Sequence, residues 1–281
     1  MRLLGPAEVR ELAARLDLQP TKRLGQNFVH DANTVRRIVA AADVALGERV
    51  VEIGPGLGSL TLGIIEAGAS VVAVEIDERL ARLLPETAAA MGAPPGALEV
   101  IRADALEVDS LPGDPTALVA NLPYNVSVPV LLHFLERFPG IQRGLVMVQR
   151  EVGERLAARP GSKVYGGPSA KAAWYADVRL AGAVSRQIFW PVPNVDSILV
   201  RLDRRPEPGS EAERRHTFAI IDTAFGQRRK MLRQSLAGLL GPDTATILES
   251  AGVDPTARGE TLEVGAFLAI ARAAGLRRVS A

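Results

Sequence analysis

The 281-residue chain has no cysteine, which excludes disulfides, thiolate nucleophiles and cysteine-type zinc sites in one step. Histidine is nearly as scarce. His30, His133 and His216 lie far apart without ligand spacing, so no metal is expected. Mean hydropathy is mildly apolar at +0.12, yet no run approaches the roughly 18 apolar residues of a membrane helix, and no membrane partner is expected. No stretch of signal-peptide length forms before Glu8 and Arg10, which makes a cytoplasmic location the expectation. Net charge is also lacking. With 33 Lys/Arg against 32 Asp/Glu the balance is +1, and the whole chain carries no polyanion signal.

What is there is globular. Hydrophobic residues make up 47% and charged residues 23%, with 26 Gly and 19 Pro, which excludes collagen-like and wholly disordered chains. The length suits one large domain, or one large and one small. Charge is unevenly spread: residues 1–180 carry 19 Lys/Arg and 21 Asp/Glu, whereas 181–281 carry 14 and 11, clustered at Arg204-Arg205, Arg214-Arg215 and Arg228-Arg229-Lys230 with Arg233. Only four of the cations are lysines, an excess of arginine that reads as composition.

Val9, Leu12, Ala13 and Leu16 recur at helical spacing behind Pro6, predicting an amphipathic helix that ends near Gln19-Pro20. A polar loop over 21–30, with Phe28 embedded, precedes a second helix through Val35, Ile38, Val39 and Ala42. From residue 49, short apolar runs at 49–54, 70–77, 98–104, 117–123 and 144–149 alternate with helical patterns at 60–67, 78–91 and 128–138. Such βα alternation with nearly continuous apolar strands predicts an α/β fold, a Rossmann-like parallel sheet covered on both faces. Runs at 176–184 and 197–203, separated by a proline-bearing segment, are expected to close it as an antiparallel pair. The charged, Pro- and Gly-bearing stretch 204–210 reads as a linker, and the rest is helical. The expected domains are therefore 1–48, an N-terminal helical extension and lid loop; 49–203, the core; 204–210, the linker; and 211–281, a small all-α C-terminal domain.

The strand Val50-Val51-Glu52-Ile53 runs into Gly54-Pro55-Gly56-Leu57-Gly58 and a helix, where a parallel sheet lets a nucleotide-like ligand approach the backbone. Glu75 ends the next strand 21 residues after Gly54, the spacing at which a carboxylate accepts bonds from ribose hydroxyls, and Asp104 ends the third near where an adenine edge would lie. The loop lacks the third glycine of the dinucleotide pattern, which disfavours a pyrophosphate and hence NAD. S-adenosylmethionine has the ribose and adenine without phosphates, and needs the acids and the close backbone but no anion nest.

Asn121-Leu122-Pro123-Tyr124, at the end of the fourth strand, resembles the signature of amino-methyltransferases acting on an exocyclic base nitrogen. An exocyclic adenine amine is a poor nucleophile because its lone pair is delocalised into the ring. The site must accept hydrogen bonds from it, for which Asn121 Oδ1 and the Leu122 carbonyl are suited, with Pro123 fixing φ and aiming that carbonyl. No general base is needed before attack, so positioning and electrostatics are the main terms. Tyr124 would stack on the extruded base.

Four words in order resemble the ribosomal RNA adenine dimethyltransferase family: Gln26-Asn27-Phe28-Val29, Glu52-Ile53-Gly54-Pro55-Gly56-Leu57-Gly58, Asn121-Leu122-Pro123-Tyr124, and Phe189-Trp190-Pro191-Val192-Pro193-Asn194-Val195-Asp196-Ser197. The likeness runs from about residue 20 to the C-terminus and favours the branch acting on the small subunit. It implies a methyltransferase sheet holding S-adenosylmethionine, with Asn27 and the backbone of Val29 at the methionine part and Gly54 and Gly56 beneath it. Glu75 would bind the ribose and Asp104 the adenine amine, with Ile76 and Ala105 also at the cofactor. Asn121 would touch both the cofactor and the target amine and, with Leu122 and Tyr124, be catalytic; Tyr124 would face Phe189 across the flipped base, with Pro123 also at the substrate. The family usually has Leu where this chain has Val29, a change of small consequence because that role is the backbone's.

The same resemblance implies a substrate of two adjacent adenosines in a hairpin loop near the 3′ end of small-subunit ribosomal RNA. Each would take two methyl groups, within a pre-30S or 30S particle, on a monomeric enzyme. Two methyls per nitrogen call for a roomy pocket beside N6. The stretch Gly226–Arg233 reads as a basic helix whose Arg228, Arg229 and Lys230 would dock RNA. Two other readings stand beside this one: a large-subunit adenine methyltransferase of the antibiotic-resistance type, and a methyltransferase-like assembly factor that binds RNA without catalysis. The intact Asn121-Leu122-Pro123-Tyr124 speaks against the latter, and the full 189–197 word with the long helical tail against the former.

Overall fold

A computed structural model describes residues 1–18, 27–123 and 125–275. In its first half, elements follow as α1 (Pro6–Arg15), β1 (Phe28–Val29), α2 (Ala32–Ala42), β2 (Arg49–Ile53), α3 (Ser59–Glu66), β3 (Ser70–Glu75), α4 (Glu78–Ala90), β4 (Leu98–Arg102), β5 (Ala117–Asn121), α5 (Ser127–Arg137) and β6 (Arg143–Gln149). Then come α6 (Arg150–Leu156), α7 (Gly167–Tyr175), β7 (Ala176–Val184), β8 (Phe189–Trp190), β9 (Ser197–Arg204), α8 (Glu211–Gly226), α9 (Leu232–Ser235), α10 (Ala237–Leu240), α11 (Thr244–Ser250) and α12 (Val264–Ala273).

Seven strands form one sheet in the order β4-β3-β2-β5-β6-β9-β7. The first five are parallel, and β9 runs antiparallel to β6, pairing Arg143 with Asp203 through Gln149 with Ser197. The apolar runs of β2, β3, β5 and β6 are buried along most of their length, because helices cover both faces. On one face Val50, Val71, Val119, Leu145 and Met147 share a core with Val35, Ile38 and Val39 of α2 and Leu60 and Ile64 of α3. Alternation sends Leu118 and Leu202 to the other face, where they meet Leu131 and Leu135 of α5. The helix starts are chemically marked: Asp31 accepts from the Thr34 N–H at 2.6 Å before α2, and Ser210 and Glu213 make a reciprocal pair before α8. No helix among the described residues is long and apolar enough to cross a membrane.

Strand β2 has β3 on one side and β5 on the other. The chain therefore winds away in both directions from this point, and a crevice opens beyond the carboxyl ends of the two central strands.

The chain divides into two compact units, Met1–Gly153 with Arg179–Arg204, and Glu154–Val178 with Arg205 onward. The expected core of 49–203 is thus corrected at 154–178. Tyr165 and Ala170 are buried in a cluster with Ile220, Ile221, Phe267 and Ile270 of α8 and α12, and the Tyr165 hydroxyl donates to the Leu262 carbonyl at 2.8 Å. A second correction concerns 21–30, read as loop: Phe28 and Val29 pair antiparallel with Trp190 and Phe189 as a separate two-stranded sheet. The third is the basic helix. α8 stops at Gly226 and the next residues turn, with the Lys230 N–H donating to the Gln227 carbonyl at 2.8 Å.

Candidate active site

The glycine loop leaves β2 in the left-handed backbone region at Gly54 (φ +66°) and Gly56 (φ +59°), which side chains rarely adopt. Space is as limiting as torsion: a Cβ on Gly56 would lie 2.9 Å from the Phe28 ring. The loop thereby forms the floor of a cavity of about 240 Å³. Asn27, Val29, Gly54, Gly56, Glu75, Ile76, Asp104, Ala105, Asn121 and Pro123, all picked out from sequence, lie on its wall.

Glu75 ends β3 almost fully buried, with one carboxylate oxygen accepting the Gly56 N–H at 3.1 Å and the other the Asp77 N–H at 2.9 Å. The Ile76 backbone N–H also acts on the group, and two oxygens with two acceptor positions each leave room for a further donor. Burial outweighs these bonds and raises its pKa above the ordinary glutamate value. Asp104 is more open; one oxygen accepts the Leu106 N–H at 2.9 Å and closes the turn after β4.

Asn121 is the last residue of β5, and its Nδ2 donates to the Asn27 carbonyl at 3.1 Å. That bond orients the amide and leaves Oδ1 as the acceptor beside the cavity. The Leu122 N–H is held by the Met147 carbonyl at 3.0 Å while its side chain is buried, so only its backbone carbonyl can serve a ligand. Tyr124 lies outside the described residues. Phe189, expected to face Tyr124 across the base, is 1% exposed, packs in the core and is not among the described residues of the cavity wall. The cause is its register opposite Val29, which turns it inward.

Sequence reading missed Glu52. The residue lines the cavity, 1% exposed, and its carboxyl accepts from the Thr61 hydroxyl of α3 at 2.5 Å. Burial pushes its pKa up to about 8, with the nearby Glu75 charge adding to the shift. The signal was an acid standing inside the apolar run Val50-Val51-Glu52-Ile53. Also missed was Ser59, whose hydroxyl donates to the Val29 carbonyl at 2.5 Å and ties α3 to β1.

Beside the proton-holding Glu52, the described lining includes Glu75, Asp77 and Asp104 but no Lys, Arg or His. Such a wall repels phosphates, and the Gly56 N–H that could have bound one is spent on Glu75. It suits a ligand with hydroxyls, a flat base and positive charge.

In the helical unit the three predicted cations part company. Arg228 binds Glu260 at 2.8 Å and the Lys163 carbonyl at 2.7 Å, whereas Arg229 and Lys230 are exposed and pair with no described acid. The Arg228 contacts gather Lys163 and the 258–260 turn around the basic segment.

The family model of ribosomal RNA adenine dimethylase matches residues 18–274. The chain belongs to this family. Among curated relatives, the ribosomal RNA small subunit methyltransferase A of Leifsonia xyli is 63% identical over 96% of this chain and 98% of its own. That of Thermobifida fusca is 60% identical over 96% of both. Of solved structures, a dimethyladenosine transferase from Plasmodium falciparum covers 86% of this chain and 95% of its own with TM-score 0.73 at 22% identity, and shares the fold. The 23S rRNA methyltransferase ErmE covers 88% and 99%, with TM-score 0.63 at 26% identity. The resemblance carried by the four sequence words is therefore borne out, and this dimethylase is an enzyme of the methyltransferase type.

Proposed function

We propose that this dimethylase transfers methyl groups from S-adenosylmethionine to N6 of two adjacent adenosines in the 3′-terminal hairpin loop of small-subunit ribosomal RNA. The carrying observation is the Asn121 amide, held by the Asn27 carbonyl at the rim of an acid-lined cavity. The greater likeness to small-subunit relatives than to the 23S enzyme, 63% against 26% identity, supports the choice of subunit.

The residues present fit the cofactor. Glu75 would take a ribose hydroxyl on its remaining acceptor position, Asp104 the adenine amine on its second oxygen, and Ile76 and Ala105 the faces of the ring. Asn27 and the Val29 backbone would hold the methionine end above Gly54 and Gly56. When bound, S-adenosylmethionine supplies an electrophilic methyl on a sulfonium. Asn121 Oδ1 and the Leu122 carbonyl would accept from the target amine, draw its lone pair out of the ring and aim it. The proton is lost to water after transfer, so the chain needs no base there. A second methyl must enter beside the first, and Asn125, Val126 and Val130 line the same cavity as Asn121.

Tyr124 keeps its proposed part as the base platform. Phe189 could join it only if β8 moved. Arg229 and Lys230, with exposed Lys163, Arg233 and Arg258, would bind RNA phosphates; Arg228 would brace them. We further place the enzyme in the cytoplasm, as a monomer acting on a pre-30S or 30S particle. Mass spectrometry of ribosomal RNA after incubation of unmethylated particles with labelled cofactor tests the whole reading. Four methyl groups on two neighbouring small-subunit adenosines are expected; label on the large subunit would overturn it.

A further inference from the structure

We propose that Trp190 is a positioning residue for Asn121, acting through its stack on Phe28 and the adjoining Asn27 carbonyl. This rests on the proposed role of Asn121 as the acceptor of the target amine.

β1 and β8 are each two residues long, too short to be rigid as a ladder by themselves. Other contacts hold the far end of β1: the Val29 carbonyl accepts from Ser59, the His30 N–H donates to the Ile188 carbonyl at 2.9 Å, and Phe189 is buried in the core. At the near end Phe28 pairs with Trp190 through the backbone and is buried beside Leu4, Val9, Leu57 and Leu80, and its ring sits between two further surfaces. The Phe28 ring lies against the backbone of Gly56 on one side, where a Cβ would be 2.9 Å away. The indole of Trp190 stacks with it, with centroids 6.4 Å apart and planes 21° from parallel. One peptide earlier, the Asn27 carbonyl receives Asn121 Nδ2 at 3.1 Å.

Removing the indole would leave Val29 anchored and the backbone pairing at 28 in place, but would empty one face of the Phe28 ring and let it tilt into the space. The Asn27 carbonyl would swing with it, and the Asn121 amide would lose the bond that selects its orientation. The glycine loop keeps its own bonds, Gly54 N–H to the Val74 carbonyl and Gly56 N–H to Glu75, and Val29 its anchor, so only the Asn27 part of the proposed cofactor contacts is disturbed and the loss of cofactor affinity should be small beside the loss of kcat.

The test uses the full chain, unmethylated small subunits and labelled cofactor, with calorimetric titration of S-adenosylhomocysteine as a readout apart from turnover. Trp190→Ala should lower kcat about 10- to 100-fold, the scale of a small misplacement of a reacting group, while KM for the particle and the affinity for S-adenosylhomocysteine stay within about 3-fold. Trp190→Phe, which can still stack, should recover most of kcat. In an Asn121→Ser background Trp190→Ala should cost little more, because its effect passes through the side chain already removed. Parent kcat in Trp190→Ala, or losses that multiply in the double variant, would overturn the inference while leaving the function standing. Parent kcat in Asn121→Ser would overturn both. Equal losses of kcat and S-adenosylhomocysteine affinity in Trp190→Ala, unrelieved by Trp190→Phe, would mark a merely structural residue and overturn it too.

Discussion

The crevice of the sheet unit and the basic turn of the helical unit handle charge in opposite ways. In the crevice, acids face a cavity whose described lining has no cation, and two of them, Glu52 and Glu75, are held where water is scarce. In the turn, Arg229 and Lys230 stand in solvent while Arg228 is bound to Glu260. A net charge of +1 conceals this separation. Buried acids select a small ligand by desolvated contacts, whereas exposed cations attract a polyanion through a field that salt weakens.

Four variants would sharpen or break the contrast. Asn121→Ala should slow methyl transfer by about 100-fold or more, the loss typical of a single preorganised catalytic contact, with RNA affinity retained in a filter or fluorescence assay. Turnover near the parent rate would remove the crevice from the chemistry. Glu75→Ala should raise the dissociation constant for S-adenosylmethionine by about 10-fold, as expected for a lost charged hydrogen bond, measured by calorimetry; an unchanged titration would remove it from the ribose site. Replacing Arg229 and Lys230 together by Ala should weaken RNA binding and flatten the slope of log affinity against log salt by about 2. Cofactor affinity should be untouched. By contrast Arg228→Ala should lower the melting temperature, and a normal melt would refute its part as a strut.

Smallest is the pH effect at Glu52. Its folded pKa is raised from 4.5 to about 8, so the folded chain holds a proton that the unfolded chain has released. Stability from this group is full below the unfolded value and is lost as pH rises through that window. Glu52→Gln, neutral throughout, should flatten the decline of melting temperature between pH 5 and 8. An unaltered profile would show that the carboxyl is ionised where it lies.

Much of the fold was legible because both-face burial writes itself as unbroken apolar runs. β2, β3 and β5 fall inside the segments read as strands and β6 begins one residue ahead of its segment, and the glycine loop, Glu75, Asp104 and Asn121 follow from their places at strand ends. The β1–β8 pair was not legible, since two residues display no period. Nor was the membership of 154–178 in the helical unit, because an apolar helix face does not say which core it enters. The basic run was read as a helix from its charge, but the chain turns there so that Leu232 can be buried among Ile220, Ile221 and Phe267.

Sequence alone determined the class of sheet and which residues stand at its carboxyl edge, because periodicity and spacing are local and survive any arrangement of the rest. Only the tertiary structure decided what those residues are free to do. Whether Phe189 faces a cavity or a core, whether Arg228 is bound or available, and whether Glu52 keeps its proton all depend on neighbours contributed by distant segments. Desolvation and hydrogen bonding act through space, and the order of residues along a chain does not record them.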